Sequence, residues 1–442
     1  MQDTDLFQMA LGLFPPWLVE RCTFDPEQKQ LDIYIDFCRG GEFPCPECGR
    51  LGCKAYDTLN KVWRHLNFFQ HVSYLHVRTP RVECPTCGVK QVPVPWAREG
   101  SGFTVLFEAF IMAMAKEMPV NAIARLVGEH DTRIWRILHH YVEKARGEQD
   151  YSRVSTIGMD ETSSKRGHNY ITVFVDMDKS KVLFATPGKD AATLTAFKED
   201  LEAHGGRAEN IKQACCDMSP AFIRGIEDTF ENSSITFDKF HIVKIINEAL
   251  DEVRRQEQKT RPELKKTRIV WLKNPKNLTV KQQGIIKDLN VPKLNLKTAK
   301  GYQIKLTFQE LYEQPRELAE EFLKRWYFWA THSRLQPMIE AARTIKRHWD
   351  GVLRWFESGI TNGVLEGINS LIQAAKAKAR GYRSTRNLIT IFYLIAGKLN
   401  LSVTPHTIAR SPFSFFMADN NRRSLPYLRR LRYYSPDLTR CT

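Results

Sequence analysis

Two near-identical runs, Cys45-Pro-Glu-Cys48-Gly49 and Cys84-Pro-Thr-Cys87-Gly88, carry the most specific chemistry in this 442-residue sequence. A Cys-x-x-Cys turn sets two thiolates on one side of a tight loop, and the glycine after it lets backbone amides point at sulfur with no Cβ in the way. Two such knuckles form a closed site of four thiolates, the pattern of structural Zn²⁺, with no position left for water. Cys45, Cys48, Cys84 and Cys87 are the expected ligands, with Cys38 and Cys53 near enough in sequence to compete. Redox or incidental thiols are the other reading, disfavoured by the duplication. The scattered remaining cysteines suit a reducing cytosol better than a disulfide framework.

Carboxylates form the second group. Asp160 follows the apolar run STIGM and precedes Glu161, and Asp217 closes the run IKQACC. Each reads as an acid at a strand end, and if the strands are neighbours both face one pocket. Two hard oxygen ligands on a rigid sheet bind Mg²⁺ or Mn²⁺, with waters and a substrate phosphate completing the shell. A single aspartate is more often a cap or turn former, so the parallel placement carries the reading. Glu366 lies in TNGVLEGINSLIQ, where Asn362, Glu366 and Asn369 at i, i+4 and i+7 share one helical face. That stripe either meets something hydrophilic or is solvated. In FDKFH, Asp238 ends a strand and His241 begins a helix; His241 contacts a phosphate, orients a ligand, or packs in the core.

The elements that must position these groups fall into four stretches. Up to about residue 96 the chain reads as short β segments, with LDIYIDFC and HVSYLHVRT alternating at period two. From about 102 to 147 it turns helical. Pro119 stops a first helix, and VNAIARLVG and TRIWRILHHYVEKA follow, with Gly128 as a C-terminal cap between them. The last helix offers Arg133, Arg136, His139 and His140 on one side and Ile134, Trp135, Leu138 and Val142 on the other, the division a recognition helix needs. A plain helical hairpin is the alternative. From about 154 to 250 three strands lead into strand–helix alternation, a mixed sheet with helices packed on it. Beyond about 241 the chain is almost wholly helical.

The 65 Lys+Arg against 50 Asp+Glu leave a net charge of +15, which in a chain of ordinary hydrophobic content points to a polyanion, most commonly nucleic acid. Lys265, Lys266 and Arg268 in a Lys-rich section, and Arg429 and Arg430 in an Arg-rich tail, are the cations expected to track a phosphate backbone. Trp271, among the former, either stacks on an unpaired base or is buried in a core. The acidic start resembles no secretory signal, and no run of about 18 apolar residues occurs, so a cytoplasmic protein without a membrane span is expected.

Together the runs GMDETSSKRGHNYITVFVDMDKSKVL, CCDMSPAFIRGI, FDKFHIVKIINEALDEVRR, LKNPKNLT and TNGVLEGINSLIQAAKAKARGY resemble the ISL3 family of bacterial insertion-sequence transposases, over nearly the whole chain. The resemblance implies a multidomain α/β protein: a zinc ribbon (1–100), a helix-turn-helix (101–150), and an RNase H-like catalytic core (151–250 and 351–405) interrupted by an all-helical insertion (251–350), then a basic tail (406–442). It places a DDE triad on Asp160, Asp217 and Glu366, an Asp-x-x-His motif on Asp238 and His241, and flanking asparagines on Asn362 and Asn369. Where the family usually has lysine this chain has Gln373, and Lys376 and Lys378 beyond it can supply the charge to a phosphate. The implied activity is Mg²⁺- or Mn²⁺-dependent cleavage and strand transfer of double-stranded DNA at terminal inverted repeats, by at least a dimer since two ends are paired. A DNA-binding regulator with an inactive core and a nuclease that cuts without joining are the competing classes.

Overall fold

A computed structural model describes residues 2–165, 169–289, 294–360 and 363–401. The described chain forms two compact units, residues 2–141 with 400–401, and Val142–Leu399.

The first unit opens with a helix, α1 (Asp3–Ala10), where the sequence pattern predicts β structure; the Asp5 carboxylate accepts the Gln2 amide at its start. Six strands follow: β1 (Trp17–Asp25), β2 (Gln30–Phe37), β3 (Glu42–Phe43), β4 (Cys53–Phe68), β5 (His71–Cys84) and β6 (Gly88–Gln91). Their sheet runs β1-β2-β5-β4-β3, with β6 also on β5; β2 and β5 are parallel and the other pairs antiparallel. Strand alternation decides what is buried. Leu31, Ile33 and Ile35 point into the core from β2, and Ser73, Leu75, Val77 and Thr79 from β5. β4 and β5 are longer than the short segments expected, because the hairpin continues until it reaches the second knuckle.

Three helices complete this unit: α2 (Val105–Glu117), α3 (Val120–Val127) and α4 (Asp131–Gly147), the last continuing past the division between units. Thr104 caps α2, and Gly128 ends α3 in the left-handed conformation at φ +72°, as its position between two helical patterns predicts. Ile134, Ile137, Leu138 and Val142 form the buried face of α4; Trp135, expected there, is only half-buried, and Ile137 joins the face instead. A buried cation joins sheet to helices. Arg64, 2 % exposed in β4, donates to the carbonyls of Ser73 and Val127 and pairs with Glu129 at 3.8 Å.

In the second unit β7 (Thr156–Ser163), β8 (Tyr170–Asp176) and β9 (Lys181–Pro187) form an antiparallel meander. Then α5 (Ala192–Ala203), β10 (Gln213–Cys216), α6 (Pro220–Thr229) and β11 (Ser234–Phe237) alternate, and the sheet order is β11-β10-β7-β8-β9 with β7, β10 and β11 parallel. The described chain beyond is helical: α7 (Lys239–Glu257), α8 (Arg268–Leu272), α9 (Val280–Leu289), α10 (Lys297–Glu310), α11 (Arg316–Thr331), α12 (Gln336–Arg347), α13 (Trp349–Leu353), α14 (Trp355–Ser358), α15 (Gly363–Lys378) and α16 (Thr385–Ala396). No helix among the described residues is long and apolar enough to cross a membrane.

One apolar core runs from the sheet into these helices. Inside it Lys305 is fully buried, and its ammonium donates to the carbonyls of Trp271, Leu272 and Lys273, closing the C-terminal end of α8. Burial without a carboxylate partner lowers its pKa to about 8.

The approach of α15 to β7 is set by a missing side chain. A Cβ on Gly158 would stand 2.4 Å from Met177 Sδ and 3.0 Å from Leu365 Cδ1, so a larger residue would require Met177 to move and Leu365 to back away from the strand. Gly158→Val should lower stability by about 1–3 kcal/mol through overpacking. Chemical denaturation checks this, and an unchanged midpoint would show that α15 has slack against the sheet.

Candidate functional site

Three aspartates stand level at the ends of the parallel strands. In the β7–β10 register Cys215 lies opposite Gly158, and in the β10–β11 register Cys216 lies opposite Phe237. Carried on by two residues and by one, those registers bring Asp160, Asp217 and Asp238 abreast. Its sequence context predicts Asp160 at the end of its own strand, but the strand runs on past it. β7 continues to Ser163 because β8 pairs it throughout, Asp160 opposite Val173, whereas parallel pairing to β10 stops at Gly158. The aspartate therefore sits where one neighbour has left and the other remains.

Each acid is held by local amides. Asp217 Oδ1 accepts from Ser219 N at 2.9 Å, just before α6, and Asp238 Oδ1 accepts from Phe240 N at 2.8 Å, capping α7. Asp160 Oδ1 accepts from Glu161 N at 2.7 Å, and its Oδ2 accepts from the Asn369 side-chain amide. His241 Nε2 lies 3.9 Å from Asp238 Oδ2, so this histidine faces the acids and is half-buried instead of packed in the core.

Electrostatics record the crowding. Burial raises the Asp160 carboxyl, the charge of Asp217 raises it further, and the Glu161 amide, His241 and Asn369 oppose the shift. Asp238 is raised by burial, then by Asp160 and Glu366, against the pull of the Phe240 amide and His241. Glu161 is raised by burial and by Asp217. Sequence reading missed Glu161 as a member of this group, although it adjoins Asp160.

Glu366 reaches the group from α15. That helix follows β7 in register: Leu365 on Gly158, Asn369 on Asp160, Gln373 Nε2 on Thr162 Oγ1 at 2.8 Å, and Lys376 Nζ on the Ser163 carbonyl. The polar stripe thus meets the acidic edge of β7. Glu366 itself is exposed near the helix start, and Asn362 lies outside the described residues. Lys376 is engaged with the strand, and Lys378 is exposed two residues further.

The second site is the cysteine cluster. The ligand atoms of Cys45, Cys48, Cys84 and Cys87 lie within 4.8 Å of one another, the one such group of metal-ligand side chains among the described residues. The sulfurs of Cys48 and Cys84 are 3.6 Å apart, against about 3.8 Å between ligands of a tetrahedral Zn–S₄ centre. Gly49 and Gly88 follow the knuckles at φ +73° and +74°, as their place in the motif requires. Amides of Thr86 and Cys87 bring the Cys84 thiol down to about 6. Donor set and spacing fit zinc. Cys53 is buried alongside but outside the four, and Cys38 is not among them.

The cations expected to meet DNA divide. Arg136 on α4 is exposed, and His139 stacks on Trp135 with centroids 5.7 Å apart. Arg133 is committed within the unit: it bonds Glu129 and lies 4.3 Å over the Phe103 ring. Lys265 and Lys266 are exposed, and Arg268 is exposed while pairing with Asp251 at 3.1 Å. Trp271 cannot stack on a base. It is fully buried, its indole N–H bonded to Thr267 Oγ1 at 3.1 Å, and the core role is the one it fills. Arg429 and Arg430 lie outside the described residues.

A four-cysteine knuckle pair, a helix-turn-helix and an acid-edged α/β sheet together define a DNA-processing protein. The chain belongs to the ISL3 family of transposases: the family model described as a transposase matches residues 157–392, that of the helix-turn-helix domain of transposase family ISL3 matches 92–142, and that of the zinc-finger of transposases IS204/IS1001/IS1096/IS1165 matches 42–87. It is 28% identical over 434 residues to the transposase for insertion sequence element IS1557 of Mycobacterium tuberculosis, covering 89% of this chain and 96% of that one. It is also 28% identical over 403 residues to the transposase for insertion sequence element IS1001 of Bordetella parapertussis, covering 87% and 96%. Its function is that of a DDE transposase that binds DNA.

A zinc assay on the purified chain should find one equivalent, and Cys84→Ala should lose it along with the thermal stability of the first unit. Stoichiometric zinc in Cys84→Ala would remove that residue from the site.

Proposed function

We propose that the second unit is an RNase H-like core whose Asp160, Asp217 and Glu366 bind Mg²⁺ or Mn²⁺, cleave DNA at the terminal inverted repeats of an insertion sequence, and join it to a target. The observation that carries this reading is the level row of Asp160, Asp217 and Asp238 on adjacent parallel strands, with α15 bonded alongside. Acids raised by one another and by burial form a site short of positive charge, which is the condition for divalent-cation binding. When bound, such cations polarise the scissile phosphate and lower the pKa of an attacking water or 3′-OH.

In this reading the chain's own residues divide the work. Asp160 and Asp217 supply oxygen ligands from the rigid sheet, and Glu366 supplies the third from α15. Asn369 orients Asp160 through its amide, leaving the other carboxylate lone pairs for a ligand. His241, with Nε2 3.9 Å from Asp238 Oδ2, stands beside the acids, where its ring N–H can donate to a phosphate oxygen. The helical stretch 251–350 forms the insertion before the glutamate, the zinc ribbon and helix-turn-helix select the DNA ends through Arg136 and His139, and Lys265, Lys266, Arg268 and Lys378 contact backbone. A dimer is proposed because two ends must be paired.

Asp160→Asn, Asp217→Asn and Glu366→Gln should each abolish cation-dependent cutting of element ends on a sequencing gel while leaving end binding nearly intact. Robust cutting by any one removes that residue from the triad. Supplying pre-cut ends with a free 3′-OH separates joining from nuclease activity.

A pH effect follows from the raised carboxyls. Asp160, Glu161 and Asp238 hold protons more tightly folded than unfolded, so the metal-free protein loses stability as pH rises above about 4, where unfolded carboxyls ionise, toward the higher folded values. Added Mg²⁺ should therefore raise the melting temperature at neutral pH and much less near pH 4. An equal Mg²⁺ increment at both pH values would contradict the site.

A further inference from the structure

Helices α11 and α12 border an open cleft of about 660 Å³ lined by Tyr327, Glu340, Arg343, Thr344, Lys346 and Arg347. Arg343, Lys346 and Arg347 stand at i, i+3 and i+4 on α12, so they share a face, and all three are exposed. None of them forms an ion pair with a carboxylate among the described residues. Glu320, near enough to feel the charge of Lys346, is bonded by Lys324 at 2.9 Å. Lys346 Nζ lies 4.1 Å above the Trp349 ring, and Trp349 meets Tyr327 edge to face with centroids 6.1 Å apart. Arg347 donates to Thr344 Oγ1 at 3.0 Å, and Glu340, the acid of the lining, is engaged by the Gln336 amide at 2.9 Å.

The helix dipole favours cations in a last turn, which accounts for Lys346 and Arg347. It does not account for Arg343 one turn earlier, or for the aromatic ring beneath Lys346. Three like charges on one helical face repel unless an anion lies between them.

We propose that this cleft is a backbone-binding site for DNA, in which Arg343, Lys346 and Arg347 bind phosphodiester oxygens and Tyr327 packs against the sugar. The proposal rests on the transposase reading and adds to it a surface that neither the basic runs of the sequence nor the recognition helix supplies. An open cleft with cations spread along a helical turn suits a continuous strand better than an enclosed small ligand.

The test uses the full chain and a duplex carrying the element end, with affinity measured across a salt series. Arg343→Gln/Lys346→Gln/Arg347→Gln should flatten the slope of log affinity against log salt by about 0.9 for each phosphate left without its cation, up to about 2.7 for all three. Arg343→Lys/Arg347→Lys should keep most of the slope. An unchanged slope in the triple variant overturns the proposal. Acetylation of Lys346 in the unaltered chain, read by mass spectrometry, does not depend on a variant's folding. Duplex should protect Lys346, and equal modification with and without duplex, or equal protection by a mononucleotide, overturns the site. Failure of the unaltered chain to bind the duplex at all would count against the transposase reading, whereas normal binding with an unaltered slope sinks the cleft alone.

Discussion

Like charges brought together at the ends of parallel strands are the constraint around which the second unit is arranged. Asp160, Asp217 and Asp238 repel one another, and burial sharpens the repulsion by lowering the local dielectric. Such a row persists because the backbone beneath it has no alternative register: β7 and β10 are buried on both faces, and one residue of slip would exchange the side chains packed on each. The apolar core under the strands therefore fixes the acids. Local amides at Glu161, Ser219 and Phe240 then spread part of each charge.

The same strand governs where α15 lies. Because Gly158 presents no side chain, Leu365 seats on β7, and the next turns bring Asn369, Gln373 and Lys376 to Asp160, Thr162 and Ser163 in succession. Apolar contact at one end and hydrogen bonds along the rest give the helix a single register. Glu366 is carried to the acids by this packing and not by a bond of its own, since it is exposed and the nearest link is the one made by Asn369 a turn later.

The first unit solves a different problem. Its sheet is closed at one end by two knuckles, where four sulfurs converge between β3 and β6, and at the other by Arg64, which reaches from β4 to the carbonyl ending α3. A buried guanidinium is costly unless its donors are used, and here the terminal nitrogens meet the carbonyls of Ser73 and Val127, while Nε has no hydrogen-bond partner and only the Glu129 carboxylate charge 3.8 Å away. Ribbon and helix-turn-helix are thereby one body.

Short-range chemistry was legible in the residues themselves. The knuckle cysteines, the left-handed glycines after them, Gly128 as a helix end, and the alternation of Leu31, Ile33 and Ile35 all follow from local geometry that a few neighbouring residues determine. What required the folded chain was anything set by partners distant in sequence. Whether Asp160 ends a strand depended on β8, whether Trp271 faces DNA or core depended on α10, and whether Arg133 is free depended on Phe103. Residue type and spacing state which groups can bind a metal or a phosphate. Only the pairing of β10 with β7 and β11, and the seating of α15 on Gly158, decide which of them meet, because electrostatic and packing forces act through space between segments that the chain itself keeps far apart.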